Sequence, residues 1–254
     1  MKKRLDLRMV ESQLVSSRTK AQDLIRSGAV WFFENANWVR AQAPNQMIKP
    51  GSQIEIRDDR LSKYVSRGGL KLERALVKTS LRVSGMTVLD VGMSTGGFTD
   101  CLLKHGAGKV VGVDVGRDQL HPNLKSNPQV IAIEGVNARE LERVPELHPH
   151  TPSGGWPLIV VDVSFISLTL ILPSLEKILA AGGCILALVK PQFEVGPEGL
   201  GKGGLVKDPS LYQDIEKKIL QKCLELNLRA RDYFSSSIEG KDGNKEFFIF
   251  AQKN

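Results

Sequence analysis

The chain has 254 residues, 41% of them hydrophobic, which suits one large domain or a standard domain plus a small one with a real core. No run approaches the roughly 18 consecutive apolar residues of a membrane span, which argues against an integral membrane protein. The net charge is +7 and is carried unevenly: residues 1–74 hold 15 Lys/Arg against 8 Asp/Glu, while the rest of the chain holds 20 of each. A basic front joined to a neutral remainder points to a polyanion as partner of the front end.

The N-terminus, MKKRLDLRMVESQL, starts like a secretion signal but has acidic residues where an apolar core should follow, so a cytoplasmic protein is expected. Leu5, Met9 and Val10 recur at helical spacing. Ala21, Leu24 and Ile25 share one face of a second helix that stops at Gly28, a natural C-cap. Short alternating segments follow at 31–39 and 53–57, with a turn signal at Lys49-Pro50-Gly51 between them. The pattern changes near 58–66. The expected division is a small domain over 1–60, a linker and helix over 61–80, and a large domain over 81–254.

The large domain alternates strands with helices. Strands are expected at 87–91, 109–115, 129–133, 158–163, 184–189 and 246–251, and helices at 98–105, 168–181 and 211–226. The strands are nearly continuous in Val, Ile and Leu, as in a sheet buried on both faces. The fold class is therefore α/β, doubly wound. Segments 229–238 and 245–252, separated by the turn EGKDGN, read as a hairpin that sets an antiparallel strand at the sheet edge. Segments 148–156 and 193–209 read as mobile loops. The second is too Gly-rich to pack and follows the strand ending at Lys190, on the side where such sheets bind ligands. Cys101, Cys184 and Cys223 are scattered without metal-ligand spacing and read as reduced thiols, with no metal expected.

The strand TVLDVG runs into MSTGGFTD. Asp90, Gly92, Ser94, Gly96 and Gly97 fall at this first strand-to-helix turn, where glycine lets backbone approach a ligand and the helix supplies free N–H groups. The turn reads GMSTGG and lacks the dinucleotide spacing GxGxxG. Asp114 ends the next strand, in VVGVDVG, where an acid can accept hydrogen bonds from both ribose hydroxyls of a nucleoside. Together these features point to a nucleoside-type cofactor.

Four further polar residues stand out: Lys71 in SRGGLKLERAL, Asp162 in IVVDVSF, Lys190 ending ILALVKP and Glu246 in GNKEFFIF. A lysine after ILALV is costly unless paired or put to use. Singly, each reads as a salt-bridge partner; together they form a Lys–Asp–Lys–Glu set.

The chain resembles the TlyA family, sometimes labelled haemolysins, whose methyltransferase domain is similar to the FtsJ (RrmJ) type of RNA ribose 2′-O-methyltransferases. The resemblance rests on SRGGLKL, DVGMSTGGFTDCLL, VVGVDVGRDQL, VVDVSFISL, LVKPQFEVG, GKGGLVKDP and GNKEFF, in that order, and covers nearly the whole chain. RLDLRMVESQLVSSRTKAQDLIRSGAV and KPGSQIEI resemble the helical half and final strand of the small RNA-binding domain named after a ribosomal small-subunit protein. The middle departs: an Asn-Gly turn is usual there, and this chain has WFFENANWVRAQ. The resemblance implies a small α+β RNA-binding domain followed by a Rossmann-like class I methyltransferase sheet. It also implies S-adenosylmethionine as cofactor, cytidines of ribosomal RNA within ribosomal subunits as substrate, and Lys71, Asp162, Lys190 and Glu246 as the catalytic tetrad.

A ribose 2′-hydroxyl is a weak nucleophile, so catalysis must align it with the donated methyl and help remove its proton. In this scheme Lys190 acts as base or as oxyanion stabiliser, Lys71 is the neighbouring cation, and Asp162 and Glu246 orient the lysines and the hydroxyl. Gly92, Ser94, Gly96, Gly97 and Phe98 would surround the methionine part of the cofactor, with Asp90 in the same turn. Asp114 would hold the ribose, Asn137 would lie near the adenine, and Asp162 would face both cofactor and substrate. Arg4, Arg8, Arg18, Lys20, Arg26, Lys63 and Arg67 are candidate phosphate contacts, predicting steep salt dependence. The alternatives are a noncatalytic RNA-binding or ribosome-assembly factor, a small-molecule methyltransferase and a membrane-active haemolysin. The intact Lys–Asp–Lys–Glu set argues against the first and the basic front module against the second. The want of a membrane span or strongly amphipathic basic helix beyond the module's own argues against the third.

Overall fold

A computed structural model describes residues 2–26, 28–57, 63–240 and 243–254. It divides into two compact units, Met1–Ser66 and Arg67–Asn254. The expected start of the linker at 61 and positions 241–242 of the EGKDGN turn lie outside the described residues.

In the first unit, β1 (Lys3–Arg4) leads directly into α1 (Leu5–Glu11), followed by α2 (Arg18–Arg26). β2 (Val30–Glu34) and β3 (Asn37–Arg40) form a hairpin, and β4 (Met47–Ile48) and β5 (Ile54–Ile56) complete the unit. β1 pairs with β4, and β2 is the centre of an antiparallel sheet in the order β3-β2-β5. The helical periodicity places Leu5, Met9, Ala21, Leu24 and Ile25 in one core with Val30, Phe32 and Ile48. Side chains alternate across a strand, so Val30 and Phe32 point inward while Trp31 and Phe33 point outward. The segment expected to run on from 31 to 39 is two strands, because Asn35 (φ +49°) and Ala36 (φ +63°) both adopt left-handed backbone. That is a two-residue type I′ turn, whose twist matches that of the flanking strands.

The second unit opens with α3 (Gly68–Thr79) and continues β6 (Thr87–Val91), α4 (Gly97–Lys104), β7 (Lys109–Asp114), α5 (Pro122–Lys125) and β8 (Val130–Glu134). There follow β9 (Trp156–Val161), α6 (Leu172–Ile178), β10 (Leu179–Val189), α7 (Leu211–Glu225), β11 (Leu228–Ser235) and β12 (Phe247–Lys253). These strands form one sheet in the order β11-β12-β10-β9-β6-β7-β8. β8, β7, β6, β9 and β10 run parallel, and β12 runs antiparallel to both β10 and β11. Fully buried residues such as Leu89, Val111, Ile159 and Ile185 fill the sheet, as the apolar runs predict. This is the Rossmann-like class I arrangement.

The expected antiparallel hairpin lies at the sheet edge, with β11 outermost and the reversed strand β12 beside it. Two expectations need correction. The helix expected over 168–181 ends at Ile178, because Leu179 already pairs with Trp156 of β9 and begins β10. The segment 193–209 is tied down: two short 3-10 turns and a bridge between Leu200 and Val206 shape it, and the buried Asn244 side chain accepts from Val206 N (3.1 Å) and donates to Gly204 O (3.0 Å).

Candidate active site

The glycine turn lies where the strand order reverses, with β6 flanked by β7 on one side and β9 on the other. Crevices at such switch points, beyond the carboxyl ends of the strands, are where open α/β sheets bind ligands. Gly92 (φ +85°) closes β6, and a Cβ there would lie 2.5 Å from the backbone oxygen of Asp162. Only glycine lets the ends of β6 and β9 approach so closely. Gly96 (φ +90°) caps α4, and Gly97 opens that helix. Ser94 (φ +46°) donates its N–H to Asp114 Oδ2 (2.7 Å) and its hydroxyl to Gln119 Oε1 (3.0 Å). Asp114 Oδ1 accepts from Gly116 N (2.7 Å). Both oxygens keep lone pairs for further donors.

Asp90 is fully buried. Its Oδ2 accepts from Thr99 Oγ1 (2.7 Å), and its Oδ1 has no hydrogen-bond partner. Burial pushes this carboxyl up to about 7; the Thr99 hydrogen bond opposes the shift, and the charges of Asp162 and Asp114 add to it. An orphaned buried acceptor, a glycine turn and a strand-end acid are the donor and acceptor set that a nucleoside-bearing cofactor requires. Two expected cofactor contacts have structural roles instead or as well. The Phe98 ring is buried and stacks on Phe248 with centroids 6.4 Å apart, so that ring belongs to the core. The Asn137 side chain accepts from Arg139 N (3.1 Å), capping the turn after β8.

The Lys–Asp–Lys–Glu set resolves into two ion pairs. Lys190 Nζ lies 2.6 Å from Asp162 Oδ1 and donates to Ser164 Oγ (2.9 Å). Lys71, on α3, is buried and paired with Glu246, which is buried as well. Strand register explains their grouping. Val189 and Phe247 are paired across β10 and β12, so Lys190 and Glu246 leave the sheet at the same end. Asp162 follows β9 at that end too, with its N–H on Val91 O (2.9 Å). Gly240 makes room for Glu246, since a Cβ there would lie 2.7 Å from Glu246 Oε1.

Two features beside these pairs escaped the sequence reading. Phe165, three residues after Asp162, is 91% exposed and holds φ +64°, rare for a bulky side chain. Its ring meets Phe193 at 5.1 Å. Glu194 is buried and accepts from Ser167 Oγ (2.6 Å) and Leu168 N (2.7 Å). VVDVSFISL contains Phe165 openly, but its exposure depends on a backbone angle that periodicity does not reveal.

The candidate RNA contacts are dispersed. Arg4 and Arg18 both pair at 2.9 Å with the buried Asp6, which also accepts from Gln22, and these donors hold its carboxyl far below the usual range despite burial. Arg26 sits 3.8 Å from Asp23, Lys20 donates to Tyr64 O (3.3 Å), and Lys63 lies over the Tyr64 ring. Arg8 is half-buried on α1. Arg67 belongs to the second unit, where it donates to Glu239 O (2.9 Å). The outward face of the small sheet adds residues that sequence reading passed over: Arg57 stacks over both Trp31 (4.6 Å) and Trp38 (4.7 Å).

Comparison with known proteins agrees with this geometry. Residues 64–253 match the model of the FtsJ-like methyltransferases. YqxC of Bacillus subtilis (strain 168) is 40% identical over 249 residues, covering 98% of this chain and 85% of that protein. The 16S/23S rRNA (cytidine-2′-O)-methyltransferase TlyA of Mycobacterium tuberculosis is 36% identical over 249 residues, covering 98% of this chain and 89% of that one. A solved structure from Streptococcus thermophilus superposes with a TM-score of 0.74 at 37% identity, over 100% of this chain and 89% of that chain. The strand order, the glycine turn at the switch point and these matches together show that the chain belongs to the FtsJ-like methyltransferase family, among relatives that carry the name TlyA.

Proposed function

We propose that the protein methylates ribose 2′-hydroxyls of cytidines in ribosomal RNA. The observation that carries this reading is the grouping of the Asp162–Lys190 and Lys71–Glu246 pairs at the carboxyl end of the sheet, beside the glycine turn. S-adenosylmethionine, when bound, supplies a methyl group activated by its sulfonium. Gly92, Ser94, Gly96 and Gly97 would hold its methionine part, Asp114 the ribose, and Asn137 the adenine side; Asp90 supports the turn from beneath. Held in its ion pair, Lys190 presents an N–H donor that orients the 2′-oxygen and stabilises its developing negative charge, while the hydroxyl proton passes to the Asp162 carboxylate beside it. Lys71 and Glu246 fix the far side of the substrate groove and its charge. Phe165 offers a ring on which a base drawn from its stack can rest. The basic first unit would dock the folded RNA, with affinity that falls steeply with salt.

The test is methyl transfer from labelled S-adenosylmethionine to separately purified ribosomal subunits lacking the modification, with wild type and Lys190→Ala in parallel. Label in the ribose of one subunit, lost in the variant, supports the reading and names the subunit. Cofactor binding with no transfer to either subunit overturns it in favour of an RNA-binding factor. No helix among the described residues is long and apolar enough to cross a membrane.

A further inference from the structure

Two loops carry the catalytic pair. One runs from Asp162 to Leu168, after β9; the other runs from Lys190 to Glu194, after β10. Loops at strand ends are free to shift by ångströms unless something fixes them, and reacting atoms tolerate little displacement. The Asp162–Lys190 ion pair and the Lys190–Ser164 hydrogen bond join the loops at their origin. Phe165 and Phe193 touch midway. At the far end stands Glu194, with its side chain 1% exposed.

We propose that Glu194 is a positioning residue that holds the Asp162 loop and the Lys190 loop in catalytic register. The inference rests on the methyltransferase reading above. Both oxygens of Glu194 are committed across the gap. Oε1 accepts from Leu168 N (2.7 Å) and Oε2 from Ser167 Oγ (2.6 Å), so the second loop grips the first by both a main-chain and a side-chain donor. Lys218 of α7 completes the knot, donating to Glu194 Oε2 (3.1 Å) and to Glu194 O (3.1 Å). Burying a carboxylate is costly unless every lone pair facing the interior finds a donor. A clamp of this kind, placed four residues after Lys190, serves no packing need that an apolar side chain would not meet. It does fix the angle at which Lys190 and Asp162 face each other, and with it the projection of Phe165. Sequence reading shows only KPQFE; the partners lie 26 and 27 residues away in the chain.

Glu194→Gln keeps the size of the side chain and removes its charge. In the full chain we expect kcat for methyl transfer to fall about 10–100-fold, in line with an ångström-scale misplacement. The dissociation constant for S-adenosylmethionine should stay within about twofold, because the glycine turn is untouched. Amide hydrogen exchange should speed up selectively over 163–168, because the amide offers one accepting oxygen in place of two and its NH₂ meets the Lys218 ammonium donor to donor. Lys218→Met, which leaves both grips on the first loop, should cost less than Glu194→Gln. A Glu194→Gln protein with wild-type kcat and unchanged exchange overturns the proposal. So does a loss of activity that only tracks the unfolded fraction, with the folded remainder turning over at the wild-type rate. Wild type that transfers no methyl overturns the methyltransferase reading itself, and the positioning role with it.

Discussion

Lys71 and Glu246, 175 residues apart in sequence, form a buried ion pair at the end of the sheet where Lys190 also emerges. Such a pair is weak as a source of stability, since desolvating two charges offsets their attraction, yet removing one partner strands the other and costs about 3–5 kcal/mol. Lys71→Met should therefore lower the stability of the second unit by about that amount in urea unfolding. The double variant Lys71→Met, Glu246→Leu should recover most of the loss while methyl transfer stays at the level of the single variant. If the double variant regains activity together with stability, the pair is structural only.

Asp90 makes stability depend on pH in an unusual direction. Unfolded, its carboxyl titrates at the ordinary value of 3.8; folded, at about 7. Between those values the folded chain keeps a proton that the unfolded chain has released, so this residue lowers stability as pH rises through the window. The penalty is absent below the lower value and complete above the upper one, on the order of 4 kcal/mol at about 1.4 kcal/mol per unit. Asp90→Asn removes the titration. Relative to wild type without cofactor, the variant should gain stability from pH 5 to about pH 7 and level off above it. Parallel stability curves across that range would sink the idea.

The sheet and the glycine turn could be read from the sequence because buried parallel strands are nearly pure Val, Ile and Leu, and because a glycine with positive φ leaves a local mark. Asp162, Lys190 and Glu246 stand out as polar residues in or beside apolar runs and Lys71 as a lysine upstream of the glycine turn, while their joint catalytic role is what the family resemblance implies. How they pair does not show in the sequence: Lys71 meets Glu246 only because β12 runs back beside β10, a matter of register across the sheet. Phe98, expected near the ligand from its place in the turn, also has a packing role that spacing does not show: its ring stacks on Phe248. Arg4 and Arg18, candidate phosphate contacts in the sequence, also converge on Asp6, whose burial inside a charged motif no spacing rule predicts.

The turn between β2 and β3 carries a removable strain. Ala36 sits at φ +63° in a type I′ turn, a position that glycine occupies without the Cβ clash. Left-handed backbone costs an alanine roughly 1–2 kcal/mol. Ala36→Gly should raise the stability of the first unit by about 1 kcal/mol, with some of the gain lost to the greater freedom of glycine when unfolded. The turn is distant in sequence from every catalytic candidate, so kcat should be unchanged. Denaturant unfolding of the two proteins side by side decides it; a destabilised variant would mean that the turn adopts another backbone.

Phe165 gives the sharpest separation between binding and folding. At 91% exposure its ring contributes little to the core, and exposed substitutions usually change stability by no more than about 0.5 kcal/mol. Phe165→Ala should accordingly melt within a degree or two of wild type and bind S-adenosylmethionine equally well. A base stacked on an aromatic ring is worth about 1–3 kcal/mol, so methyl transfer to ribosomal RNA should fall by about 5–150-fold in kcat/KM. Phe165→Trp, which keeps a broad aromatic face, should restore most of that loss, whereas Phe165→Leu, apolar but without a π face, should not. Equal rescue by leucine would reassign the residue to a simple apolar contact. Wild-type rates in the alanine variant would remove it from the substrate groove altogether and leave its left-handed backbone as a consequence of the Glu194 clamp alone.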